Sequence, residues 1–105
     1  MATIGRFIQT KEGGWAGTIR TLTINAKVRL VPNDSRDNPS APAYRLLLGP
    51  HHIGDAWEAQ TNDNSPQPYL QVRVDDPALP GPINAALFWC GDGDSAKLIW
   101  RRVRV

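Results

Sequence analysis

The sequence predicts an all-β domain, a small barrel or sandwich of about seven or eight short antiparallel strands. Three observations carry that expectation. Thr, Ile and Val gather in short runs such as "TIRTLTI" and "KVRLV", and β-branched side chains fit a pleated surface better than a helix. Nine Gly and nine Pro are scattered along the 105 residues and cut them into short segments. Apolar and polar residues alternate cleanly in "YLQVRVD", where Leu70, Val72 and Val74 fall on one face and Gln71, Arg73 and Asp75 on the other.

Taken in order, "TIGRFIQT" reads as a first strand with Ile4 and Ile8 on one face and Phe7 on the other. Gly13 and Gly14 in "KEGGWAG" supply the positive φ angles of a tight reversal. "WAGTIRTLTINAKVRLV" then reads as extended chain whose alternation slips between Ile19 and Leu22, as at a β-bulge. Ile19, Leu22 and Ala26 also have helical spacing, but the β-branched residues from Thr18 to Thr23 argue against a helix. Residues 32–42, "PNDSRDNPSAP", form an exposed loop by composition. The strand "YRLLL" follows, and "GPHHIG" turns into "DAWEAQ", with Trp57 as a core anchor. "TNDNSPQP" is another turn, and the three prolines of "DPALPGP" suit a crossover or barrel corner. "INAALFWC" and "KLIWRRVRV" close the chain through a "GDGD" hairpin turn. Closing a barrel then requires the first and last strands to pair.

Composition sets the class. A chain of this length is expected to form a single domain over residues 1–105, and 41% hydrophobic residues against 21% charged suffice for a core. "MATIGRFIQT" lacks the pattern of a signal peptide, so a cytoplasmic location is expected. The longest apolar run, Ala85 to Cys90, is far short of the roughly 20 residues of a membrane-spanning helix, so no membrane partner is expected. A lone Cys90 forms no internal disulfide and fits a reducing compartment. The net charge is +2, but residues 1–45 carry +4, residues 46–100 carry −5 and the last five residues +3. Such asymmetry suggests a charged partner unless folding mixes the segments.

Read together, "MATIGRFIQT", "GTIRTLTINAKVRLVP", "YRLLLG", "IGDAWEAQ", "YLQVRVDDPALPGPINAALF" and "LIWRRVR" resemble, in that order, the short β-rich proteins of the family called domain of unknown function 736. The likeness runs nearly end to end. Members are typically met on bacterial plasmids and integrative conjugative elements, so the resemblance implies a mobile-element accessory protein. It brings no catalytic residues to carry over.

The residues themselves offer little chemistry. His51 and His52 are neighbours, so on an extended chain they point to opposite faces and bind one metal poorly; a turn-borne pair is the simpler reading. Asp75 and Asp76 precede Pro77, where a carboxylate accepts backbone hydrogen bonds in a turn more readily than it serves a dyad. The stretch Asp92–Ser95 resembles a calcium loop without its bidentate Glu, and Lys97 intrudes. Cys90 follows "ALFW", which suits a buried, inert thiol. No catalytic residue, metal or cofactor is therefore expected, and the protein is read as non-enzymatic.

The cations remain. Arg6, Arg20, Lys27 and Arg29 lie in the first three strands, and Arg101, Arg102 and Arg104 in the last, so pairing of the chain ends gathers them on one side. Small barrels use such cations to track a phosphate backbone and aromatic rings to stack bases. Trp100 and Trp15 are the candidate rings. The competing reading places the tryptophans in the core and leaves the cations as a solvated face that discourages edge pairing. The expected partner is accordingly nucleic acid, preferably single-stranded. The alternative is a host or element-encoded protein, with this chain acting as an inhibitor or assembly factor on a defence or conjugation-machinery protein.

Overall fold

A computed structural model describes residues 2–33, 41–90 and 93–101. Eight strands follow one another: β1 (Ala2–Gln9), β2 (Trp15–Arg20), β3 (Asn25–Pro32), β4 (Tyr44–Leu48), β5 (His51–Gln60), β6 (Pro68–Val74), β7 (Ile83–Trp89) and β8 (Ser95–Trp100). Each pairs antiparallel with the next, and β8 pairs with β1, so the sheet is a closed up-and-down barrel. Closure leaves no edge strand to aggregate. There is no helix among the described residues.

An interior enclosed by eight strands is just wide enough for side chains to fill. Phe7, Leu30, Leu46, Leu70, Leu87 and Leu98 supply one fully buried side chain from each of six strands, and Trp15, Ile19 and Ala56 come from the other two. Burying each Leu or Phe is worth about 1.5–3 kcal/mol. Small residues let the large ones fit. A Cβ on Gly17 would meet the carbonyl oxygen of Arg6 and lie 2.8 Å from Phe7 Cγ, so Gly17 is what lets the Phe7 ring lie over the β1–β2 pair.

Several local expectations change. β1 does have a bulge, between Thr3 and Gly5, and it turns Ile4 inward along with Phe7 while Ile8 is left 67% exposed. The slip near Leu22 is a hairpin turn, not a bulge. Thr21 Oγ1 accepts hydrogen bonds from the backbone N–H groups of Thr23 and Ile24 at 3.2 and 3.1 Å, and Leu22 is exposed at its tip. Only Gly13 of the first Gly pair has positive φ, at 86°. The turn before β5 is confined to Gly49 and Pro50, so His51 and His52 are strand residues. A second bulge, between Leu46 and Leu47 in the β4–β5 pairing, makes Ile53 and Ala56 the inward residues; Trp57 lies half-buried opposite Gln71 on the outer side. Most of the proline-rich loop expected at 32–42 lies outside the described residues.

The meander gives the barrel two unlike ends. The upper end, where β1 finishes, carries the connections β1–β2, β3–β4, β5–β6 and β7–β8. The lower end carries the β2–β3, β4–β5 and β6–β7 connections and the start of β1 and finish of β8.

Candidate functional site

Because side chains alternate along a strand, every cation that is out of register with the core stands on the outer wall. Arg6, Arg20, Lys27, Arg29, Arg45, Arg73 and Lys97 are all exposed strand residues. Among the described residues the strands hold only two carboxylates, Asp55 and Glu58. Glu58 pairs in register with the buried Leu70, which places it on the inward side, at the upper mouth. Asp55 alone among the described carboxylates faces outward on the wall, between Arg45 and Arg73 in register, with its Oδ1 2.8 Å from His52 Nε2. None of the seven wall cations is in an ion pair among the described residues.

The other described carboxylates sit in the connections, several as turn fixtures. Asp76 Oδ2 accepts a hydrogen bond from the Ala78 N–H at 2.9 Å, and Asp63 Oδ1 accepts one from the Ser65 N–H at 3.1 Å. The charge asymmetry along the chain therefore becomes wall against ends, rather than one half of the sequence against the other.

Register gathers the wall cations around β2. Its outward residues Ala16 and Thr18 are short, while Arg6 stands opposite Thr18 on β1, and Lys27 and Arg29 stand opposite Thr18 and Ala16 on β3. Strands are about 4.8 Å apart, so Arg6 on β1, with the exposed Ile8 opposite Ala16, stands roughly 10 Å from Lys27 and Arg29 on β3 over a low floor. An open depression of about 440 Å³ lies over β2 and β3 on the Lys27 and Arg29 side, lined by Ala16, Thr18, Lys27, Arg29 and Gly49 of the β4–β5 turn, with Arg6 across β2 outside its lining. Arg20 stands at its lower end, further along the same face of β2. On the other side of Arg6, Lys97 of β8 is its register partner, and Phe88 of β7 stands opposite Lys97. Phe88 stacks on Tyr69 of β6, with ring centroids 5.0 Å apart and planes 25° from parallel.

Of the residues singled out by sequence, the fold brings Arg6, Lys27 and Arg29 together and sets Arg20 at the groove's end. Arg101 is exposed just beyond β8 at the lower end; Arg102 and Arg104 lie outside the described residues. Trp100 is on the inward side, opposite Ala85, and packs against the core, while Trp15 is buried in it. The rings that accompany the cations outward are Tyr69 and Phe88 instead. Sequence reasoning missed these two, together with Lys97 and Thr18. The alternation that exposes them is visible, but their neighbours are set by strand register, and that of Lys97 to Arg6 by the β8–β1 pairing of the chain ends.

The remaining candidates for chemistry are dispersed. Cys90 follows β7 at the upper end, whereas His51 and His52 begin β5 at the lower end, so thiol and imidazole lie at opposite ends. No group of three or more His, Cys, Asp or Glu among the described residues is placed to hold a metal ion.

Fold and surface thus define a small closed β-barrel with a basic outer wall and acidic connections. The chain belongs to the family described as protein of unknown function (DUF736), whose model matches residues 3–103. No curated protein and no solved structure matches it.

Proposed function

We propose that this chain is a non-enzymatic nucleic-acid-binding protein that seats a phosphodiester backbone in the groove over β2. The observation that carries the reading is the groove itself: short side chains on β2 between Arg6 on one side and Lys27 and Arg29 on the other. Exposed cations without carboxylate partners exchange small counterions for phosphates at no cost of broken ion pairs. Thr18 adds a hydroxyl on the groove floor that donates to a phosphate oxygen. With its contacts to the backbone, such a site reads little sequence.

A single strand is the preferred form. The cations from Lys97 round to Lys27 span β8, β1, β2 and β3, about half the circumference of the barrel. The molecule measures only 38 × 34 × 29 Å. Duplex DNA is stiff over roughly 150 base pairs and touches one side of such a cylinder, whereas a single strand bends to follow it. In the cytoplasm of a cell carrying a mobile element, such a protein would act as an accessory factor on transiently exposed strands.

The test is a titration of a labelled single-stranded oligonucleotide at several salt concentrations. Four phosphate contacts predict a slope of about −2.8 in log affinity against log salt, or roughly fiftyfold weaker binding for a fourfold rise in salt. Arg6→Ala, Lys27→Ala and Arg29→Ala should each flatten the slope by about 0.7. Absence of binding at low salt, or an unchanged slope in all three variants, would overturn the reading in favour of a protein partner.

A further inference from the structure

The cation row ends beside a depression of about 650 Å³ at the upper mouth of the barrel, whose lining includes Tyr44, Glu58, Gln60, Pro68, Tyr69 and Trp89. Barrel mouths are a common place for ligands, and this volume lies within the usual range of about 300–1,000 Å³. Three of the six side chains are aromatic. Trp89 is held by an edge contact to the buried Trp15, with centroids 6.0 Å apart, and is still 38% exposed. Tyr69 is held by Phe88. Trp89 and Tyr69 are therefore each steadied from one side.

The polar lining selects against phosphate. Among the described residues it contains a carboxylate, Glu58, and an amide, Gln60, with no Lys or Arg. What enters should be planar, able to stack and rich in N–H donors, with any phosphate left outside. Glu58 is already engaged within the protein, and the two oxygens of a carboxylate leave acceptor capacity for a further donor. Gln60 both donates and accepts.

Continuity with the groove decides the ligand. Tyr69 stacks on Phe88, Phe88 is the register partner of Lys97, and Lys97 is the register partner of Arg6. The step from the Tyr69 strand to the Lys97 strand is two inter-strand spacings, roughly 10 Å. We propose that the mouth is a nucleobase pocket, taking one unpaired base with an exocyclic amine from the strand whose phosphates Lys97 and Arg6 hold. The base stacks on the inward Trp89 and Tyr44 rings and its amine donates to Glu58, while Tyr69, on the outer rim beside Phe88, lies along the strand's path from Lys97 to the mouth. Cytosine N4 and adenine N6 offer that donor, and thymine offers only a carbonyl oxygen in its place. This rests on the nucleic-acid reading above and adds a base preference to it.

The experiment compares fluorescence anisotropy of labelled dC and dT octamers at one low salt concentration, for the wild type and for Glu58→Gln and Trp89→Leu. Each variant's thermal melt is recorded alongside. The wild type should bind the dC octamer several-fold tighter, and Glu58→Gln should erase the difference. Trp89→Leu should weaken dC binding about tenfold, the scale of one stacked base, without changing the salt slope. Equal wild-type affinity for the two octamers would overturn the pocket while leaving the groove in place. Binding of neither at low salt would overturn both. The wild-type comparison stands even if an aromatic variant fails to fold.

Discussion

Replacing Gly17 by Ala tests the packing that holds the groove's two sides at their spacing. The added methyl meets the Arg6 carbonyl oxygen, a rigid backbone atom, and Phe7 Cγ at 2.8 Å. Phe7 is only 1% exposed and has nowhere to retreat. Relief must come from moving β1 away from β2 or forcing the ring off its rotamer, and overpacking of this kind costs about 1–3 kcal/mol. In a domain of about 100 residues each kcal/mol moves the melting temperature by roughly 4–8 °C, so the expected fall is between about 4 and about 24 °C. Thermal denaturation followed by circular dichroism measures it. Gly81→Ala is the matched control, because a Cβ there has no atom within 4 Å, and it should stay within about 0.5 kcal/mol of wild type. Gly17→Ala and Gly81→Ala melting together would refute the steric reasoning.

Leu46→Ala removes a side chain with 0% exposure from the middle of the barrel and should cost about 2–5 kcal/mol by denaturant unfolding. Gly13→Ala places a side chain at φ 86° in the β1–β2 turn and should cost about 1–2 kcal/mol, with the m-value unchanged. His52→Ala breaks a contact to Asp55 in which the two side chains are 51% and 30% exposed, so chemical denaturation should move by less than about 1 kcal/mol.

Parts of this molecule were legible because they depend on neighbours in sequence. The alternation Leu70, Val72, Val74 is the inward face of β6, and barrel closure through β1 and β8 follows from eight strands that would otherwise leave edges. Gly13 and Asp76 announce their turns through chemistry confined to a few residues. Trp57 misled because its size suggests the core, while the bulge upstream in β5 decides which face it takes. Leu22 misled for a related reason: a Thr-anchored turn interrupts a run whose composition is uniformly that of a strand. The groove was half legible. Arg6, Lys27 and Arg29 stand out as alternating cations, but the β8–β1 pairing that sets Lys97 beside Arg6 joins residues at opposite ends of the chain. No local pattern encodes that register, whereas the aromatic pair Tyr69 and Phe88 follows from the β6–β7 pairing of consecutive strands.

The groove over β2 is tested most directly by Thr18→Glu, which sets a carboxylate on its floor between the register partners Arg6 and Lys27. New opposite-charge cross-strand pairs are each worth about 0.2–1 kcal/mol in favour of the fold, so the variant should melt at or slightly above the wild-type temperature. The same carboxylate repels phosphate and occupies the two cations that would hold it. Measured by anisotropy at low salt, single-strand affinity should fall at least tenfold, with a salt slope smaller by about 1.4 because Arg6 and Lys27 no longer neutralise phosphates. A folded Thr18→Glu protein that binds the oligonucleotide with wild-type affinity and slope would contradict the assignment of the groove as the nucleic-acid site.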